Sequence, residues 1–199
     1  MAPASVEIKN KILGAEDGAI FVTSDFSGIT SLTTARKCLG RLAESGLIRR
    51  VMDGVYEKPR FSKLLKEYIP TDPETVAYAI ARSCHWSIAP CGDVALNKLG
   101  LSTQVPTVWS YVSDGPYREY AYDSIRLQFK HRTNRDISMM SDLTILVIEA
   151  LKTIGKDGVT EKTVQTLRQR LPERERAVLL KEASCSAEWV YEVIKRICS

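Results

Sequence analysis

No stretch of this 199-residue chain reaches ~18 consecutive uncharged apolar residues, so a transmembrane helix is not expected. The opening MAPASVEIKNKILG lacks the unbroken apolar segment of a secretory signal, which argues against export. Cysteine is sparse and odd in number. Cys38, Cys84, Cys91, Cys185 and Cys198 suggest no disulfide framework, and a reducing cytoplasm is the simpler setting. Cys84-His85 and Cys91 follow no common zinc spacing, no C-x-x-C is present, and no fourth ligand stands out. Buried thiols are expected there rather than a metal. The loops G-x-x-x-x-G-K-S/T, G-x-G-x-x-G and G-x-S-x-G are also missing. Asp114, Asp123, Asp136 and Asp142 are scattered over turns and helix starts, where carboxylates cap backbone amides. Neither catalysis nor a cofactor is expected from this set.

The chain also has little net charge, only +4 at neutral pH, which alone says nothing about nucleic acid. Its distribution is more informative. Between Ser31 and Arg50 stand Arg36, Lys37, Arg41, Arg49 and Arg50 against the single acid Glu44, as much net positive charge as the whole chain carries.

The local pattern around that segment predicts a winged helix-turn-helix. Residues 5–14 read as a helix with Ile8 and Ile12 one turn apart, and a second short helix begins near Ser24-Asp25 and ends at Gly28. Ser31 opens a third helix, which Gly46 stops. Two β-prone runs, Leu47–Val51 and Val55-Tyr56, flank Met52-Asp53-Gly54, a strong hairpin signal. On a wheel of 100° per residue, Leu32, Ala35, Leu39 and Leu42 of the third helix share a core-facing quarter. Thr33, Thr34, Lys37 and Arg41 lie opposite, with Arg36 at the flank and Gly40 adding no bulk. An apolar side for docking and a short-plus-basic side for the major groove are what a recognition helix requires. Arg49 and Arg50 begin the wing, where at least one is expected to meet the phosphate backbone.

Residues 59–73 read as a connector with room for one short helix, and 74–199 as a second, mixed domain. Within it, helices are expected at Glu74–Ser83 and Gly92–Leu99. Thr107–Ser113, Tyr117–Asp123 and Ile125–Arg132 then suggest a small antiparallel meander. From Ser141 on the chain reads as helical, with Leu143, Leu146, Val147, Ala150, Leu151 and Ile154 on one face and later helices near 160–170, 173–183 and 187–198. The expected class is α+β: an N-terminal winged helix to residue 58, then a small antiparallel sheet with a helical C-terminal part.

The run Thr33–Tyr56, TTARKCLGRLAESGLIRRVMDGVY, resembles the winged-helix opening of AbiE-type antitoxins, from type IV toxin–antitoxin and abortive-infection systems. Ala89–Pro106, APCGDVALNKLGLSTQVP, resembles the same family more specifically, and Ser113-Asp114-Gly115-Pro116 continues it. The resemblance spans about residues 20–132. It implies a repressor that binds its own promoter as double-stranded DNA and counters a nucleotidyltransferase toxin encoded beside it. The family's DNA-binding positions carry over to Thr33, Thr34, Arg36, Lys37, Arg41, Arg49 and Arg50. A stand-alone regulator, or a protein- or RNA-binding adaptor, stays open. A single winged helix offers little contact area, so a monomer or weak dimer on repeated half-sites is the expected binding form.

Two further patterns have competing readings. Along Ile125–Arg132 the cations Arg126, Lys130 and Arg132 alternate with Ile125, Leu127, Phe129 and His131, which are expected to face inward. The three cations form either a second basic surface or the protected face of an edge strand. Trp86, Trp109 and Trp189, with Tyr111, Tyr117, Tyr120 and Tyr122, are either base-stacking platforms or core and interface residues.

Overall fold

The computed structural model describes residues 3–133 and 139–199, so Asp136 lies outside the described residues. The chain forms two compact units. One runs to Trp86 and takes in Tyr122–Ser124; the other comprises Ser87–Ala121 and Ile125–Ser199. The class is α+β.

The first unit is a winged helix with an addition. Helix α1 (Ala4–Leu13) leads to strand β1 (Ile20–Val22), a 3-10 turn (Thr23–Phe26), helix α2 (Leu32–Glu44), and strands β2 (Arg49–Met52) and β3 (Val55–Glu57). The strands form an antiparallel sheet in the order β1-β3-β2. Ile20, Phe21 and Val22 are all buried, and this short apolar stretch forms the edge strand beside β3. The expected second helix is a single 3-10 turn. Asp25 accepts the Val22 amide at 2.9 Å there and closes the turn before a longer helix can form.

Helix α2 follows its local signals closely. The Ser31 hydroxyl accepts the Thr34 amide at 3.3 Å, an N-cap. At the other end Gly46 has φ +76°, the Gly46 amide bonds to the Ala43 carbonyl, and the Leu47 amide bonds to the Leu42 carbonyl. This is a Schellman closure, which favours glycine because a Cβ is disfavoured at that φ. Gly54, at φ +74°, makes the β2–β3 turn for the same reason.

The core of this unit packs Ala35, Cys38 and Leu39 of α2 against Ile8, Ile12, Phe21, Phe26, Ile48 and Tyr56. Leu42 is half-buried against the same cluster, but Leu32 is 55% exposed. The expectation for Leu32 is corrected: as the first helical residue after the cap, it projects past the end of the core. Cys38 takes the inward place instead.

Two strands replace the expected connector. β4 (Phe61–Ser62) and β5 (Glu67–Tyr68) pair antiparallel around a four-residue loop. Helix α3 (Pro73–Cys84) follows, capped by Asp72, which accepts the Thr75 amide at 2.9 Å, with Pro73 at its first position. Its buried face, Val76, Ala77, Ala79, Ile80 and Ala81, packs within this first unit, and Arg82 bonds to Asp25 at 2.8 and 3.0 Å. The boundary therefore differs from the expected one: 59–86 belongs with the winged helix, because α3 covers β1 and the 3-10 turn.

In the second unit, strand β6 (Ile88–Pro90) and helix α4 (Gly92–Lys98) precede β7 (Trp109–Ser113), β8 (Arg118–Tyr122) and β9 (Ile125–His131). The order β6-β7-β9-β8, with β7 and β9 parallel, replaces the expected antiparallel meander. Burial explains the exchange. β9 carries the buried Leu127 and Phe129 and occupies the interior, whereas β8, with exposed Arg118 and Glu119, takes the edge. His131 is exposed rather than inward, and its Nδ1 lies 2.9 Å from the Gly115 carbonyl oxygen.

Helix α5 (Asp142–Ile154) is buried on more sides than a single-face pattern allows. Val147, Ile148, Ala150 and Leu151 enter the helical core, and Ile145 packs with Ala89, Cys91 and Val112 of the sheet side. Helices α6 (Glu161–Arg170), α7 (Glu173–Glu182) and α8 (Glu188–Cys198) complete the unit, and α8 buries Val190, Val193, Ile194 and Ile197 as its periodicity predicts. No helix among the described residues is long and apolar enough to cross a membrane.

Leu39→Ala should lower the unfolding free energy by about 2–5 kcal/mol in urea titrations followed by circular dichroism. Leu32→Ala should stay within about 0.5 kcal/mol of the parent, as an exposed site does.

Candidate nucleic-acid interface

Thr33, Thr34, Arg36, Lys37 and Arg41 are all exposed on α2, opposite Ala35, Cys38 and Leu39. Arg36, Lys37 and Arg41 form no ion pair among the described residues. Three cations on one rigid helix, free of internal partners, can release counterions from a polyanion without first breaking a salt bridge. The Thr34 hydroxyl is partly engaged, accepting from the Ser31 hydroxyl at 3.0 Å, while Thr33 stands clear at the helix start. Glu44, exposed in the last turn, ends the basic face.

The two wing cations are held quite differently. Arg49 donates from Nε and Nη2 to one oxygen of Glu57, at 3.1 and 2.9 Å, and Nη2 also contacts the Thr71 hydroxyl. Thr71 in turn donates to the same Glu57 oxygen at 2.7 Å, and both Glu57 and Thr71 are buried. Removing a buried acceptor's partners is costly, and Arg49 supplies donors to the Glu57 carboxylate across the β2–β3 pair. Arg50 is exposed, donates to the Tyr56 hydroxyl at 2.9 Å, and lies over the Tyr56 ring at 5.3 Å. The expected phosphate-facing pair is thus one structural strut and one surface cation steadied on an aromatic ring.

A groove of about 660 Å³ runs beside α2, between Gly40, Ala43 and Glu44 on one side and Arg49, Arg50 and Tyr68 on the other. A Cβ at Gly40 would meet nothing within 4 Å, so the glycine leaves that wall low without being required by packing. The β4–β5 hairpin, whose Tyr68 lines the groove, carries Arg60, Lys63 and Lys66, all exposed. These three cations are missed when 59–73 is read as a connector. The signal present in the chain is Phe61 and Tyr68 flanking a basic tip.

In the second unit the cations of β9 and Arg132, just past its end, do not form one free surface. Arg126 is exposed and Lys130 half-buried, while Arg132 reaches the buried Glu149 at 3.5 Å, which Lys152 also contacts at 2.9 Å. β9 is an interior strand, so the edge-protection explanation for these cations does not apply. Among the aromatics, Tyr111 and Tyr122 are buried and unavailable for stacking on bases; Tyr111 stacks on Phe129 at 5.9 Å and Trp189 packs on the helical core. Cys38 and Cys91 are buried thiols, but Cys84 and Cys185 are exposed, contrary to the expectation for Cys84. Burial pushes the Cys91 thiol up to about 11, with Lys130 opposing the rise.

Residues 7–179, from within α1 to within α7, match the family described as "Family of unknown function (DUF6088)". The chain belongs to this family. It is also similar to the crystal structure of the RV2827C protein from Mycobacterium tuberculosis, at 11% identity and a TM-score of 0.48. That likeness covers all of this chain and 77% of the other. No curated protein matches the chain.

Two outcomes are expected from this geometry. Arg49→Ala, by leaving the Glu57 carboxylate short of its donors, should cost about 1–3 kcal/mol of stability, whereas Arg41→Ala should be nearly neutral. In the native protein at pH 8, a thiol reagent should modify Cys84 and Cys185 first, and Cys38 and Cys91 only after denaturant is added.

Proposed function

We propose that this chain is a duplex-DNA-binding transcriptional regulator that inserts α2 into the major groove and represses its own promoter. The observation that carries the reading is the outward face of α2, where Arg36, Lys37 and Arg41 are exposed and free of ion pairs on the third helical element of a winged helix. Thr33, Thr34 and Arg50 supply further polar contacts, the wing cation gripping phosphate beside the groove. Arg49 acts one step removed, by holding β2 against β3. A single module of this size buries modest area, so repeated half-sites or a weak dimer complete the affinity.

The resemblance of Thr33–Tyr56 and Ala89–Pro106 to AbiE-type antitoxins supports a second role, as a cytoplasmic antitoxin against a nucleotidyltransferase toxin. Inspection of the adjacent gene and growth rescue on co-expression test that role separately. Absence of both would leave the regulator and remove the antitoxin.

The deciding experiment is a gel shift on the DNA upstream of the gene at two salt concentrations. Binding should fall steeply as salt rises, because each neutralised phosphate releases about one counterion. Lys37→Ala combined with Arg41→Ala should weaken binding by ~2–6 kcal/mol, at ~1–3 kcal/mol for each base contact, without loss of fold. Unchanged affinity in that double variant would take α2 out of the interface.

A further inference from the structure

We infer that the β4–β5 hairpin is a second DNA-contacting element, one that places Leu64 and Leu65 in the minor groove beside the site read by α2. This rests on the proposed winged-helix function and names the groove that a separate part of the same unit takes.

Leu64 and Leu65, at the hairpin tip, are 91% and 62% exposed. Lone surface leucines are common, but an adjacent pair on a projecting turn keeps apolar area in water with no covering element. The turn is also well organised. The Ile69 amide bonds to the Arg60 carbonyl at 2.8 Å, the Leu65 amide bonds to the Ser62 hydroxyl at 3.1 Å, and Phe61 meets Tyr68 edge-on at 5.2 Å. Lys66 takes φ +55°, a left-handed conformation uncommon for a residue with a side chain. A tip held in this way loses little conformational freedom when it binds.

Charge identifies the occupant. Arg60, Lys63 and Lys66 are exposed, form no ion pair among the described residues, and bracket the two leucines; Glu67 is the lone acid from Arg60 to Tyr68. The apolar centre of a protein–protein interface is usually depleted in lysine. Cations on both sides of an apolar wedge suit the two phosphate rows of a minor groove, where inserted Leu side chains part a base step and bend the duplex. The base of the hairpin is also well placed, since Tyr68 lines the same groove as Gly40 and Glu44 of α2.

The test uses the full chain and an end-labelled duplex of about 30 base pairs from upstream of its gene, with anisotropy for affinity and energy transfer between the ends for bending. Leu64→Ser with Leu65→Ser should abolish most of the bend and weaken binding about tenfold, with the salt dependence unchanged. Lys63→Ala with Lys66→Ala should instead lower the slope of log K against log salt by about 2. Wild-type bend, affinity and slope in both variants would overturn the inference, including the case where the leucine variant instead loses a protein partner. A parent chain that binds no duplex at any salt would defeat the winged-helix proposal itself. Parent binding that is lost in Lys37→Ala/Arg41→Ala but untouched by the hairpin changes would defeat the hairpin alone.

Discussion

The outward side chains of α2 have a defined direction only because its inner ones are locked. Ala35, Cys38 and Leu39 are held by Ile8 and Ile12 of α1, by Phe26 of the 3-10 turn, and by Ile48 and Tyr56 of the wing. That contact joins neighbouring elements of the first 57 residues into one core. It also fixes the rotation of the helix about its axis, so Lys37 and Arg41 face solvent. A rotation of even a third of a turn would put a cation into the core, where an unpaired charge is heavily penalised. The apolar docking and the basic display are therefore one constraint seen from two sides.

Around that constraint the cations divide by the company they keep. Glu57, buried in the central strand of the sheet, is satisfied by Arg49 and Thr71, so one of the two wing arginines is committed internally. Arg82 is committed in the same way to Asp25, and Arg132 and Lys152 to Glu149. Among the cations without an ion pair in the described residues of the first unit are those of the helix face and of the hairpin tip, and α2 and the hairpin base line a common groove through Gly40, Glu44 and Tyr68. A count of basic residues does not separate these classes, since the two kinds of arginine look alike until the positions of buried carboxylates are known.

Much of the first unit was legible in the residues. Ser31, Gly46 and Asp53-Gly54 act over three or four neighbours, through a cap, a left-handed residue and a tight turn, and each appears where the local rule places it. The α8 stripe of Val190, Val193, Ile194 and Ile197 was equally plain. Less legible were Ile20–Val22 and Phe61–Tyr68, which become strands by pairing with residues elsewhere. The insertion of β9 between β7 and β8 was hidden as well, because Asp114-Gly115-Pro116 announces a turn without saying which neighbour the next strand will find. Of the candidate site, the helix face could be read from periodicity, but the commitment of Arg49 and the basic hairpin could not.

The sequence by itself determined the helix caps, the wing turn, the amphipathic division of α2 and the α+β class, since all of these follow from interactions spanning a few residues or from a repeated period. Only the tertiary structure decided which cations are free, which strands are neighbours and where the first unit ends. Those outcomes depend on pairings between distant segments: Arg49 with Glu57 and Thr71, α3 on β1, β7 beside β9. Each is chosen by competition for burial and hydrogen bonds across the whole unit, and no local pattern records the result.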